Sequence, residues 1–141
     1  MSSPSVSVCM PVYNTERYVA EAVERILAQT FGDFEFIIID DGSTDGSRAI
    51  LERYTKKDDR IRLISRSNNG IVGARNEALE MARGELIAVM DSDDVALPER
   101  LEVQLAYQGA LRGRMLGQRG PVHRRGWALP LRGIPRPWKR W

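Results

Sequence analysis

The chain has one cysteine, Cys9, and one histidine, His123, in 141 residues. An internal disulfide is therefore excluded, and a Cys/His zinc site has no ligands to draw on. In its alternating apolar segment Cys9 reads as a small buried hydrophobe. No apolar run approaches the roughly 20 residues that cross a bilayer, and the start "MSSPSVSVCMPVYNTE" lacks the basic stretch and long apolar run of a secretory signal. The expected location is cytoplasmic. Acid is missing from one end altogether: no Asp or Glu follows Glu102.

That last absence makes the net charge of +2 a poor guide. Residues 1–106 carry all 19 acids against 12 basic residues, a net of −7, while residues 107–141 carry nine basic residues and no acid. Glycine, proline and all three tryptophans (Trp127, Trp138, Trp141) crowd the same tail. The composition predicts an acidic domain over 1–106 and a basic tail over 107–141, with the boundary near Tyr107 to Gly109. The length suits one domain with a single core.

Within the acidic part, strand and helix patterns alternate. "SVSVCMPV" reads as a strand, and Val19, Val23, Ile26 and Leu27 then recur on one helix face. "FEFIIID" is a continuous apolar strand, as in a sheet covered on both sides. Asp45 or Thr44 can cap a following helix that turns Ile50 and Tyr54 inward. "RIRLIS" is a third strand. "GIVGARNEALEMARG" is a helix with Ala74, Ala78 and Met81 on one side and Gly84 at its C-terminal stop. "ELIAVM" is a fourth strand, and Pro98 opens a last helix with Leu101 and Leu105 inward. Such alternation predicts a Rossmann-like α/β fold with a mainly parallel sheet of about four strands and right-handed crossovers.

In a parallel sheet the loops "YNTE", "DDGSTDGS" and "DSDDVALP" leave strand ends at one edge, where ligands of open α/β sheets bind. Asp40, Asp41, Asp91, Asp93 and Asp94 gather there with no Lys or Arg between them. Their mutual repulsion calls for a positive partner, and oxygen ligands without soft ones favour Mg²⁺ or Mn²⁺, completed by substrate phosphates. Either loop alone is also an ordinary turn and helix cap; the pair at equivalent strand ends favours function. "VMDSDDV" further fits the Asp-x-Asp loop of haloacid-dehalogenase-like phosphatases, but that fold wants the motif on its first strand, and Lys139 is the only lysine beyond it. The first strand is followed by no Gly-x-Gly turn of the dinucleotide-binding kind.

These motifs, in this order over about residues 5–106, resemble the nucleotide-sugar-binding half of a family 2 inverting glycosyltransferase of GT-A fold. The resemblance implies that Pro11, Val12, Tyr13 and Glu16 line a nucleotide pocket, and that Asp41 accepts a hydrogen bond from the base. It places Gly73, Ala74, Arg75 and Asn76 beside the donor, with Arg75 facing phosphate or sugar. Asp91, Ser92 and Asp93 match the family's Asp-x-Asp segment, with Asp93, aided by Asp91, expected to hold a Mn²⁺ or Mg²⁺ ion that bridges the diphosphate. The implied partner is a nucleotide-diphosphate sugar, a UDP-sugar as the first expectation, and not a nucleic acid.

The family's catalytic base resembles an Asp or Glu supplied well downstream, and no acid stands there. The second reading is thus a truncated nucleotide-binding remnant without activity. For the tail, anionic membrane contact, a disordered linker and an out-of-frame reading from about Gln108 compete. Gly and Pro recur too often for a continuous amphipathic helix, and the abrupt loss of acids favours the frameshift, with residues 107–141 expected to lack a stable fold.

Overall fold

The computed structural model describes residues 3–116. Four strands and four helices alternate along them: β1 (Val6–Val12), α1 (Val19–Leu27), β2 (Phe34–Asp40), α2 (Ser47–Thr55), β3 (Ile61–Ser65), α3 (Gly70–Met81), β4 (Leu86–Val89) and α4 (Arg100–Leu116). The sheet is wholly parallel with order β3-β2-β1-β4. Val6 pairs with Phe34 of β2 on one side and with Leu86 of β4 on the other. The chain therefore builds outward from β1 through β3 and then returns to β1's free side. The strand order reverses between β1 and β4, and the crevice opens there.

Both sheet faces are covered, so every residue of β1 and β2 is buried. Val8, Met10, Val12, Phe36 and Ile38 pack with Val19, Val23 and Ile26 of α1, Leu51 of α2 and Leu101 of α4. Cys9, Ile37 and Ile39 pack on the other face against Ala74 and Ala78 of α3. The small alanines let α3 lie close to the sheet. Each fully buried Ile or Val contributes about 1.5–3 kcal/mol relative to exposure. The Cys9 thiol is inside, as expected, with its Sγ 3.7 Å from the Ala78 carbonyl oxygen. Burial, aided by the charge of Glu35, pushes its pKa up to about 11.

Several local expectations are corrected. In α2 Ile50 and Tyr54 pack against the core as expected, but only partly buried, and the fully buried residues are Ser47 and Leu51. Gly46 stands at the N-cap without a side-chain cap bond, although Asp45 Oδ1 accepts the Ser47 N–H at 2.9 Å. Helix α3 ends at Met81, and extended Ala82 follows. Gly84 lies beyond that end, pressed on β1, where a Cβ would stand 2.5 Å from Ser7 N. Close approach, rather than helix termination, requires glycine there. Helix α4 starts at Arg100, two residues past Pro98, and runs through the compositional boundary to Leu116. The change of composition at residue 107 is therefore no break in secondary structure. The expectations for the remaining tail, residues 117–141, fall outside the described residues.

Candidate nucleotide-binding site

The carboxyl ends of β1, β2 and β4 surround a cleft of about 400 Å³, within the range of small-molecule sites. Pro11, Val12, Tyr13, Asp41, Asp91, Ser92 and Asp93 line it, as the sequence reading expects. Thr15, Asn68, Gly70, Ile71 and Ala74 complete the lining. Tyr13 and Ile71 are half-exposed apolar surfaces within that wall.

Beside the cleft, the loops after β1 and β2 form a reciprocal lock. Asn14 adopts φ +50°, a conformation that Asn tolerates better than most residues. Its Oδ1 accepts the N–H groups of Thr44 (2.7 Å) and Asp45 (3.3 Å), and its own N–H donates to Ser43 Oγ. Asp45 Oδ2 accepts the Glu16 N–H, while Glu16 Oε2 accepts the Gly46 N–H at 2.7 Å. Desolvation works against the charged Asp45, but bonds from Ser47 and from the Glu16 backbone outweigh it and hold its pKa below the ordinary value. Glu16 thus braces the loop and is not among the cleft-lining residues.

The acids do have cations beside them, contrary to the expectation from their sequence neighbours. Asp41 is 3 % exposed, and its Oδ1 accepts from Arg66 Nε at 3.1 Å and from the Asn69 N–H at 2.9 Å. Arg75 Nη2 donates to Asp91 Oδ1 at 2.7 Å, so Arg75 meets an Asp of the cleft but is not itself in the lining. Arg100 donates to the Val89 carbonyl at 2.6 Å. Burial lowers the Arg100 pKa while the charges of Asp94 and Asp91 oppose that shift. Gly73 also stands back from the cleft: a Cβ there would lie 2.8 Å from Asn69 Nδ2 and 3.2 Å from Arg66 Nη2. Arg66 was not picked out from the sequence, where it looks like one more charge in a loop. The signal available was its position at the end of β3, on the same sheet edge as Asp41.

With two acids already paired, the case for a divalent ion narrows to Asp93. It is exposed, lines the cleft and has no hydrogen bond or ion pair among the described residues. No three metal-ligating side chains gather among those residues. A Mg²⁺ or Mn²⁺ ion held by one or two carboxylates and otherwise by phosphate oxygens and water fits this donor set. An all-protein metal cage does not.

Fold and cleft define an α/β domain with a parallel sheet whose acidic loops line a cleft at the reversal of strand order. The chain belongs to glycosyl transferase family 2, whose model matches residues 7–133. That match extends past residue 107 into the basic tail. Among curated proteins the chain is 43% identical over 109 residues to the putative glycosyltransferase EpsH of Bacillus subtilis, covering 77% of this chain and 32% of that protein. It is 45% identical over 105 residues to the putative teichuronic acid biosynthesis glycosyltransferase TuaG of the same organism, covering 74% and 42%. The chain thus spans about a third to two-fifths of the length of these curated relatives. Among solved structures it is similar to S. aureus TarS in complex with UDP-GlcNAc, with TM-score 0.70, 34% identity, and 75% of this chain and 31% of that one covered. It is also similar to the mannosyltransferase PcManGT of Pyrobaculum calidifontis in complex with GDP-Man and Mn²⁺, with TM-score 0.65, 26% identity, and 77% and 32% covered. The fold is GT-A. No helix among the described residues is long and apolar enough to cross a membrane.

Proposed function

We propose that this domain binds the nucleotide diphosphate of an activated sugar, for transfer of that sugar to an acceptor. The observation that carries the reading is the pairing, across one cleft, of a buried, oriented carboxylate (Asp41) with a free one (Asp93) at the reversal of strand order. A carboxylate only accepts hydrogen bonds, so Asp41 suits a base that presents a ring N–H, as uracil and guanine do. Solved relatives in complex with UDP-GlcNAc and with GDP-Man support the donor class. Thr15 Oγ1 is buried without a partner, and its residue lines the cleft, a hydroxyl suited to ligand contact.

Asp93, with Asp91, would hold a Mn²⁺ or Mg²⁺ ion, which when bound supplies positive charge to the leaving diphosphate. Arg75 adds a fixed charge beside Asp91 and orients that carboxylate through the 2.7 Å hydrogen bond. Deprotonation of an acceptor hydroxyl needs a separate base. Asp41 and Asp91 are committed to arginines, and no acid follows Glu102, so this chain offers donor binding without an evident base.

Calorimetric titration of UDP and GDP into the 141-residue chain, with Mn²⁺ and then with excess chelator, tests the reading. Binding that weakens at least tenfold on chelation supports it. Equal affinity in chelator removes the metal from it, and no binding of either nucleotide refutes donor binding.

A further inference from the structure

Arg66 is anchored from more sides than a loop arginine needs. Its backbone N–H donates to the Asp40 carbonyl at 3.1 Å, extending the β2–β3 pairing by one residue. Gly42, at φ +78°, brings the neighbouring loop so close that a Cβ would stand 2.7 Å from Asn68 N and 3.3 Å from the Arg66 carbonyl oxygen. The guanidinium is forked between two acids: Nη1 lies 2.8 Å from Glu77 Oε2 on α3, and Nε and Nη2 lie 3.1 and 3.0 Å from Asp41 Oδ1. Nη2 is near Oδ1 but out of line for a hydrogen bond, and it is buried without another acceptor. Gly73 leaves the space in which it fits.

The consequence falls on Asp41. Its Oδ1 is saturated by Arg66 Nε and the Asn69 N–H, and Oδ2 has no partner among the described residues. We propose that Arg66, braced by Glu77, is a positioning residue for the nucleobase. It fixes the Asp41 carboxylate in one rotamer and leaves Oδ2 as the oxygen that accepts from the ligand. This rests on the donor-binding reading above for the identity of the ligand, but not for the bracing itself. Arg66 acts only through Asp41, so its loss weakens recognition of the base and not of the diphosphate.

The test uses the full chain and three probes in Mn²⁺: UDP, GDP and inorganic pyrophosphate, with the χ1 coupling constants of Asp41 measured by NMR without ligand. Arg66→Ala is expected to weaken the better-bound nucleotide about tenfold, to leave pyrophosphate within about twofold, and to average the Asp41 couplings. Arg66→Lys, which retains charge without the fork, is expected to fall between. Should Arg66→Ala fail to fold, Glu77→Gln removes the brace alone and is expected to cost about threefold for the nucleotide and nothing for pyrophosphate. Equal losses for nucleotide and pyrophosphate, or an Asp41 that keeps one rotamer without Arg66, overturn the proposal. If the unaltered chain binds no nucleotide, donor binding fails, and the couplings alone decide the bracing.

Discussion

Replacing Glu35 by Gln is expected to cost stability at neutral pH and to flatten its dependence on acid. Glu35 is the second residue of β2, at the end of the sheet away from the cleft, and only 3 % of it is exposed. Its Oε1 accepts from Ser7 Oγ at 2.6 Å and from the Arg83 N–H at 2.7 Å, and Oε2 accepts from Arg62 and from Arg83 Nε, both at 3.0 Å. Burial alone would raise its pKa, but the bonds from Ser7, Arg83 and Arg62 together lower it to about 2, from the ordinary 4.5. A difference of roughly two units corresponds to about 3 kcal/mol at most. Arg83 is 60% exposed, which screens its share, so about 2 kcal/mol is the working figure.

The folded-state pKa is depressed, so this contribution is complete above pH 4.5 and drains away as pH falls toward 2. Urea unfolding at several pH values from 7 to 2.5 measures it. The unaltered chain should lose about 2 kcal/mol more than Glu35→Gln over the acid range, the variant having lost that amount already at pH 7. Parallel stability curves for the two proteins between pH 4.5 and 2.5 would refute the reasoning, and would mean that the arginines are equally content with water.

Asp93→Ala is expected to remove most of the metal dependence of nucleotide binding, while Asp41→Ala weakens binding with and without metal; calorimetry of both variants distinguishes the two roles. Gly84→Ala should destabilise the fold by about 2 kcal/mol or more, since its Cβ would meet backbone atoms of β1 at 2.5 Å that cannot swing away, and the midpoint of thermal unfolding reads this directly. The 141-residue chain is expected to transfer no sugar at a measurable rate from a panel of UDP- and GDP-sugars to simple acceptors. Turnover there would reveal a base among the residues described above as structural.

The local grammar of this chain was legible without coordinates. The apolar run Phe36–Ile39 lies within β2, because a strand buried on both faces needs no polar side. The acidic loops were placed on one edge because parallel strands joined by helices leave no other arrangement. What could not be read was which charges meet. Arg66 reaches Asp41 across 25 residues and Arg75 reaches Asp91 across 16. The sequence neighbours of each acid contain no cation, and that gave the metal argument more weight than the folded cleft does. Likewise Gly84 looked like a helix stop until β1 was found against it, 77 residues away at Ser7. Periodicity along a chain encodes which face of an element is buried, an effect that acts within a turn or two. Ion pairs and backbone contacts depend on the order of strands and on the reach of individual side chains, which only the packed sheet decides.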